Sequence, residues 1–440
     1  MKLSQKALGN IHKMLDFYSQ FNPSPLSIKQ FIDFVVGCEH SLPCTCPELG
    51  WKTAARLNAC ERKSFIFLRK ELPVRLANIM KEIHLLPDTL LRMPSVGLVN
   101  NWYMRSFDEI LEFEKAEVND TTLHRFCESL VKIRNRHTDV IPTMAQGVLE
   151  LKESHEVNQQ TEGSIQYFLD RFYMSRISIR MLINQHTLLF GKKISNSNSR
   201  HIGSIDPQCD VLDVVQDAYE NARFLCDQYY LSSPELVVQQ HADGDSDPAS
   251  PIRIVYVPSH LYHILFELFK NSMRAVMEYH SATEQYPAIE VRLVKGKEDI
   301  CVKVSDRGGG IPRSHTDQLF NYMFSTAPQP PKTDSHTVPL AGYGYGLPIA
   351  RVYARYLHGD LALLSCEGYG TDCIVYLKAL SNEANELLPI FNKASSRFYR
   401  TPVQTGDWSH ATTMGARHAS VSMPRKHSLS SPLTQQHLQC

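Results

Sequence analysis

Between Ser259 and Glu278 the apolar residues recur with a helical period. Two glycine motifs follow: Asp306-Arg307-Gly308-Gly309-Gly310, then Gly342-Tyr343-Gly344-Tyr345-Gly346-Leu347-Pro348. On a helical wheel His263, Glu267, Lys270, Asn271 and Arg274 fall on one side. Leu261, Ile264, Leu265, Leu268 and Ala275 are expected to cover the other, as in a helix sealed onto a sheet with a polar stripe over a cleft. A solvated face is the ordinary alternative. The stripe, however, mixes an imidazole, a carboxylate, a carboxamide and two cations, without the Glu-to-Lys ladder of a solvent face.

Ile300 to Val304 reads as a strand that delivers Asp306 at its end. A carboxylate there can accept a hydrogen bond from an adenine amino group, and Gly308 and Gly310 let the backbone pass close to the ring. The second motif opens a helix predicted over Leu347 to Leu357. Its backbone N–H groups, at Gly342, Tyr343, Gly344, Tyr345, Gly346 and Leu347, can cradle phosphate oxygens. Neither the dinucleotide fingerprint nor the Gly-x-x-x-x-Gly-Lys-Ser/Thr loop is present. Asn271 offers an oxygen suited to Mg²⁺. Glu267 can take a proton from an attacking hydroxyl, with His263 one turn away to orient it. Lys270 and Arg274 can offset phosphate charge. Pro312 to Leu340 is polar and proline-rich, either a lid over the nucleotide or a loose loop. Gly368-Tyr369-Gly370-Thr371 is a turn that also reads as a plain hairpin.

The rest of the chain sets this region in context. Up to about Phe190 the periodicity is helical: Ile28 to Val36, Ser64 to His84, Asp108 to Glu117, Thr122 to Val140 and Glu162 to Leu189. Lys192 to Pro207 reads as a connecting segment. After it come a helix, Leu212 to Tyr230, and strands at Leu236 to Gln240, Ile252 to Val257, Ile289 to Val294, Leu361 to Ser365 and Cys373 to Leu377. The expected class is α followed by α/β: a helix bundle of four-helix type, then an α/β sandwich with a mixed sheet. Lys+Arg and Asp+Glu both number 46, which gives no footprint for nucleic acid or an anionic membrane, and no apolar run is long enough to span a bilayer. Eleven cysteines scattered over 440 residues suit a reducing compartment better than a disulfide scaffold.

The order of an Asn-bearing helix, Asp-x-Gly-x-Gly and a second glycine box resembles the GHKL superfamily, whose ATP domain is the Bergerat fold. Closer still is the likeness to pyruvate dehydrogenase kinases. It is carried by Phe266-Glu267-Leu268-Phe269-Lys270-Asn271, Leu319-Phe320-Asn321-Tyr322-Met323-Phe324-Ser325-Thr326-Ala327-Pro328 and Pro339 through Pro348. In the helical half it is carried by Glu71-Leu72-Pro73-Val74-Arg75-Leu76-Ala77-Asn78-Ile79 and Ile133-Arg134-Asn135-Arg136-His137. The resemblance implies Glu267 as general base aided by His263, and Mg²⁺ on Asn271, with K⁺ as a further cation. It also implies adenine on Asp306, with Ser325, Thr326, Thr371 and the glycines around the nucleotide. The implied acceptor is a serine of the alpha subunit of the pyruvate dehydrogenase component, whose phosphorylation switches that enzyme off and so regulates glucose metabolism. The implied setting is a homodimer in the mitochondrial matrix, docked on a lipoyl domain of dihydrolipoamide acetyltransferase.

Tyr103, Arg134, His137, Arg176 and Arg180 match a family pocket for small carboxylates such as pyruvate, although surface ion pairing is the ordinary reading of two arginines one turn apart. Asp407-Trp408 resembles a family tail motif used in dimer and lipoyl contacts, and favours this family over the branched-chain 2-oxoacid dehydrogenase kinases.

The implied organisation is an N-terminal segment (1–22) that is either a targeting peptide or an ordinary first helix, a helical domain for regulation and lipoyl docking (23–191), a linker (192–209), the ATP domain (210–382) and a largely flexible tail (383–440). One departure is an insert over about 35–57 bearing Cys38, Cys44 and Cys46. It falls where the family docks the lipoyl domain, and its spacing suits free thiols better than a zinc site. Two other functions compete: a histidine kinase built on the same ATP domain, with His137 as the acceptor, and a non-catalytic scaffold.

Overall fold

The computed structural model describes residues 5–36, 54–191, 200–242, 251–282, 285–325 and 344–392. Cys38, Cys44, Cys46, Thr326, Gly342, Tyr343, Asp407 and Trp408 lie outside them.

The first half is helical: α1 (Gln5–Tyr18), α2 (Ile28–Val36), α3 (Ala54–Ile83), α4 (Asp88–Leu91), α5 (Pro94–Leu111), α6 (Asp120–Arg136), α7 (Val140–Ser154) and α8 (Gln159–Phe190). α8 runs for 32 residues and is capped by Asn158, whose side chain accepts from the Thr161 amide. It packs against α3 and α6, while α5 packs against α3 and α7. α1 lies on α3 with Ile11, Leu15 and Tyr18 buried, as an ordinary helix of the bundle does. The helix expected over Asp108 to Glu117 is corrected. Only Asp108 to Leu111 is helical, as the end of α5, which begins at Pro94; residues 112–117 turn away from it, and α7 occupies a region where no helix was expected.

The second half holds β1 (Asp206–Asp210), α9 (Val211–Tyr230), β2 (Leu236–Ala242), β3 (Arg253–Tyr256), α10 (Pro258–Tyr279), β4 (Ile289–Lys295), β5 (Asp299–Asp306), α11 (Arg313–Thr316), α12 (Gly346–Tyr356), β6 (Asp360–Cys366) and β7 (Gly370–Lys378). The five-stranded sheet has the order β2-β4-β5-β7-β6. β2 and β4 run parallel and the other pairs antiparallel, so the sheet is mixed. β1 and β3 form a separate antiparallel pair, so the stretch expected to connect the halves ends in a strand.

β5 alternates strictly, with Ile300, Val302, Val304 and Asp306 turned inward. Each buried Ile or Val contributes about 1.5–3 kcal/mol, and together they fix the register that carries Asp306 to the inner face. α10 buries Leu261, Ile264, Leu265, Leu268, Phe269, Met273, Val276 and Met277. Ala275 is not among them. It is four residues from Asn271, about 40° around the wheel, and lies on the polar side.

Residues 383–392 are packed, contrary to the expectation of a loose tail from 383 onward. Glu386 is 2% exposed and meets Arg75 of α3 and Tyr356 of α12, and the Phe391 amide donates to Asn78.

Candidate nucleotide and phosphoryl-transfer site

The polar side of α10 forms one wall of a cavity of about 710 Å³, within the range of small-molecule sites. His263, Glu267, Lys270, Asn271, Arg274 and Glu278 line it from the helix. Gly308, Gly310, Ser325, Gly344, Tyr345, Gly346 and Leu347 line it from the loops and from the start of α12. The sequence-predicted stripe and glycine residues that fall in the described segments therefore surround one space. Ile141 of α7 also borders it, so the helical half contributes to the cavity.

Glu267 Oε1 pairs with Lys270 Nζ at 2.8 Å. A Cβ added at Gly346 would lie 2.5 Å from Glu267 Oε2, so the glycine lets the start of α12 close on the carboxylate. Gly344 has φ +83°, a left-handed conformation that a side chain would strain. His263 lines the same cavity one turn before Glu267. No hydrogen bond joins the two among the described contacts, and the direct partner of Glu267 is Lys270 rather than the expected His263. Burial lowers the His263 pKa and favours neutral imidazole. Its Nε2 is buried without a partner, and its ring sits 4.6 Å from that of Tyr353.

Asp306 lies beneath the cavity wall rather than on it. Oδ1 accepts from the Gly308 amide and Oδ2 from Ser272 Oγ, each at 3.0 Å. Burial raises its pKa against the pull of these bonds. Thr371 is its sheet partner, and the Thr371 hydroxyl contacts Ser365 Oγ at 2.9 Å. Ser272 was missed in the sequence, although its place beside Asn271 on α10 could have revealed it. Glu278 was missed too, despite standing four residues from Arg274.

The described start of the segment after α11, residues 317–325, is tied to the helical half. Gln166 of α8 donates to the Phe320 carbonyl at 3.1 Å and accepts from the Tyr322 amide at 3.0 Å. Glu162 accepts from Asn321 at 2.9 Å, and Lys152 of α7 donates to the Met323 carbonyl at 2.7 Å. The Tyr345 ring packs toward Tyr322 and Tyr173, at 5.0 and 6.2 Å, while the residue still borders the cavity.

These residues fit Mg-ATP by their chemistry. Gly346 makes a close cradle, an exposed carboxamide at Asn271 faces the cavity, cations stand along one wall, and the buried Asp306 carboxylate lies behind the wall at Gly308 and Ser272.

Residues 256–381 match the family described as "Histidine kinase-, DNA gyrase B-, and HSP90-like ATPase", and residues 25–206 match "Mitochondrial branched-chain alpha-ketoacid dehydrogenase kinase". The chain is 64% identical to a mitochondrial pyruvate dehydrogenase (acetyl-transferring) kinase of Drosophila melanogaster, over 92% of this chain and 94% of the relative. It is 57% identical to isozyme 1 of Rattus norvegicus, over 90% and 86% of the two chains, and 55% identical to isozyme 3 of Homo sapiens, over 92% and 94%. The chain belongs to the pyruvate dehydrogenase kinase family.

In this family member the expected carboxylate-pocket residues also converge. Tyr103 is fully buried, its hydroxyl has no partner, and its ring is 4.5 Å from that of His137. His137 Nε2 contacts Ser106 Oγ at 2.9 Å, and burial with the nearby Arg176 pulls its pKa down to about 3. Arg176 is 5% exposed, donates to the His137 carbonyl at 3.0 Å, and leaves Nε without a partner. Arg180 reaches the Arg134 carbonyl at 3.4 Å, and Arg134 the Thr187 hydroxyl at 3.4 Å. None of the three arginines has a carboxylate partner among the described residues, so they are not a surface ion-pair set. Three cations without carboxylate partners among the described residues, beside an orphaned hydroxyl, have the chemistry to receive a small anion.

Proposed function

We propose that the chain is a protein serine kinase that transfers the γ-phosphoryl group of ATP to the alpha subunit of the pyruvate dehydrogenase component and so inactivates it. The observation that carries this is Glu267, a carboxylate held against the phosphate-side glycine Gly346 in one cavity. Asp306 and Ser272 would hold the adenine end. The backbone from Gly344 to Leu347 would hold the phosphates, with Lys270 and Arg274 offsetting their charge. Asn271 would hold Mg²⁺, which when bound neutralises phosphate charge. Glu267 would take the proton of the acceptor serine. His263, neutral and one turn away, would tune it.

Further parts of the reading are supported by the family resemblance. The cluster of Tyr103, Arg134, His137, Arg176 and Arg180 would sense pyruvate. The apolar cluster of Leu189 and Ile202, packed with Ile32, Phe34 and Phe190, includes Phe34, which directly precedes the insert in sequence, and would serve lipoyl docking. The relatives are named mitochondrial, which supports the same organelle for this chain; its place in the matrix as a homodimer rests on the family resemblance alone.

A second reading, a branched-chain 2-oxoacid dehydrogenase kinase, is favoured by the match over residues 25–206. One experiment tests both. Labelled γ-phosphate from ATP is offered to the pyruvate and branched-chain dehydrogenase components, with wild type and Glu267→Gln. Acid-stable serine label on the pyruvate enzyme, lost in the variant, supports the proposal. Label on the branched-chain enzyme alone selects the second reading. No label with ATP still bound rejects both kinase readings.

A further inference from the structure

Both cations of the α10 stripe are held by carboxylates of their own helix. Arg274 Nε rests on Glu278 Oε1 at 2.7 Å, a pair whose carboxylate is half exposed. Lys270 Nζ rests on Glu267 Oε1 at 2.8 Å, with both side chains largely withdrawn from solvent. The partner of Lys270 is thus the residue assigned as base. An ammonium seated on Oε1 occupies the lone pair through which that oxygen would take up the acceptor's proton, so the contact stands in the way of general-base action. The other oxygen of Glu267 is hemmed in by Gly346, whose absent side chain is what allows the approach. Glu267 has one oxygen on Lys270 and the other at the glycine box.

The same cavity brings Lys270 within reach of a second anion. Lys270 and the Gly344–Gly346 backbone line one space, and the lysine stem is long and flexible. Its ammonium also lies over the Phe266 ring at 4.9 Å, a non-directional contact that does not tie it to one carboxylate oxygen. Phosphate oxygens seated on that backbone carry more negative charge than one carboxylate and compete for the ammonium.

We propose that Lys270 changes partner when a nucleoside triphosphate enters, leaving Glu267 for a phosphate oxygen, so that the base is released only when its substrate is in place. In the transfer step the acceptor hydroxyl gives its proton to Glu267. Its oxygen forms the new O–P bond as the bond from the γ-phosphorus to the β–γ bridging oxygen breaks, and that bond's electrons leave with ADP. Lys270 bears on the base by departing from it. A phosphoryl donor too short to reach Lys270 would leave the base paired. This inference rests on the assignment of Glu267 and of the nucleotide cavity made above.

The test needs no acceptor protein. Affinities for ATP and AMP are measured by calorimetry on wild type, Glu267→Gln, Lys270→Met and the double variant. Partner exchange predicts that Glu267→Gln tightens ATP by about five- to tenfold when Lys270 is present, since no ion pair must be broken. In the Lys270→Met background the gain falls to about twofold or less, and AMP affinity is unchanged throughout. Lys270→Arg, which keeps the cation, retains the coupling. Crystal structures of wild type with AMP and with a non-hydrolysable ATP analogue then locate Nζ. It stays on Glu267 in the first and sits on a phosphate oxygen in the second. Equal gains in the two backgrounds, or Lys270 on Glu267 in both complexes, overturn the proposal. Absence of label on either dehydrogenase would defeat the kinase reading while leaving these nucleotide measurements decisive. Failure of wild type to bind ATP would defeat both.

Discussion

Arg75 and Glu386, 311 residues apart in sequence, meet in the interior through two hydrogen-bonded contacts of 2.7 Å. The same carboxylate accepts from the Leu26 amide at 3.0 Å and from the Tyr356 hydroxyl at 2.5 Å, while Glu71 takes Arg75 Nε at 2.9 Å. Burial opposes the charge on Arg75, but Glu386 and Glu71 more than offset it and raise its pKa. With its partners in place the cluster is satisfied. Removing Glu386 leaves Arg75 paired with Glu71, but takes the carboxylate from its two terminal nitrogens and from the Leu26 amide and the Tyr356 hydroxyl.

Glu386→Ala should therefore lower unfolding stability by about 2–4 kcal/mol, the cost of buried donors left without an acceptor. Chemical denaturation of the full chain measures it, and a loss below about 1 kcal/mol would mean that water or another carboxylate replaces Glu386.

Gly346→Ala tests the close approach at the base. Its methyl group would collide with Glu267 Oε2, so the carboxylate or the start of α12 must shift. Turnover should fall by roughly 10–100-fold, because misplacing a reacting group by about 1 Å costs that much. A fold-preserving variant with near-normal turnover would show that Glu267 does not act from this position.

Asp170 of α8 links pH to the loop that enters the candidate lid. It accepts from Gln166, and burial pushes its pKa up to about 6 despite Tyr322, Gln166, Arg355 and Arg351. Between the unfolded carboxyl value, about 4, and 6 the folded state holds more protons than the unfolded state. The contribution of Asp170 to stability is thus present at low pH and lost as pH rises through that window, by on the order of 1–3 kcal/mol. Asp170→Asn lacks this titration, so wild type should lose stability relative to the variant from pH 4 to 7. A difference that stays flat would show that the carboxyl is not buried as described.

Arg176→Ala should weaken pyruvate binding by roughly 10–100-fold, as expected for removal of a charge-assisted hydrogen bond. Calorimetry with pyruvate reads this directly, and unaltered affinity would place the small-carboxylate site elsewhere.

The α10 stripe was legible because one helix carries both the sealing face and the chemistry, and a single phase describes both. The register of Asp306 was legible because β5 alternates without a break. α7 was not, for a physical reason. Gly147 reads as a helix breaker, yet a Cβ there would meet Val96 Cγ2 at 2.5 Å, so the glycine serves the close crossing of α5 and α7. Glu386 had no local signal at all, because its partner Arg75 lies in the other half of the chain. Lys270 was read as a phosphate cation, but wheel geometry could not show that its ammonium rests on Glu267.

α12 starts at Gly346, beside Glu267, and ends at Tyr356, whose hydroxyl donates to Glu386. Its 11 residues span about 16 Å as a rod without proline in its interior turns. Such a short rod transmits displacement rather than absorbing it. The ion pair that stitches the two halves of the chain together thus also anchors, through Tyr356, the far end of the helix that opens at the glycine box.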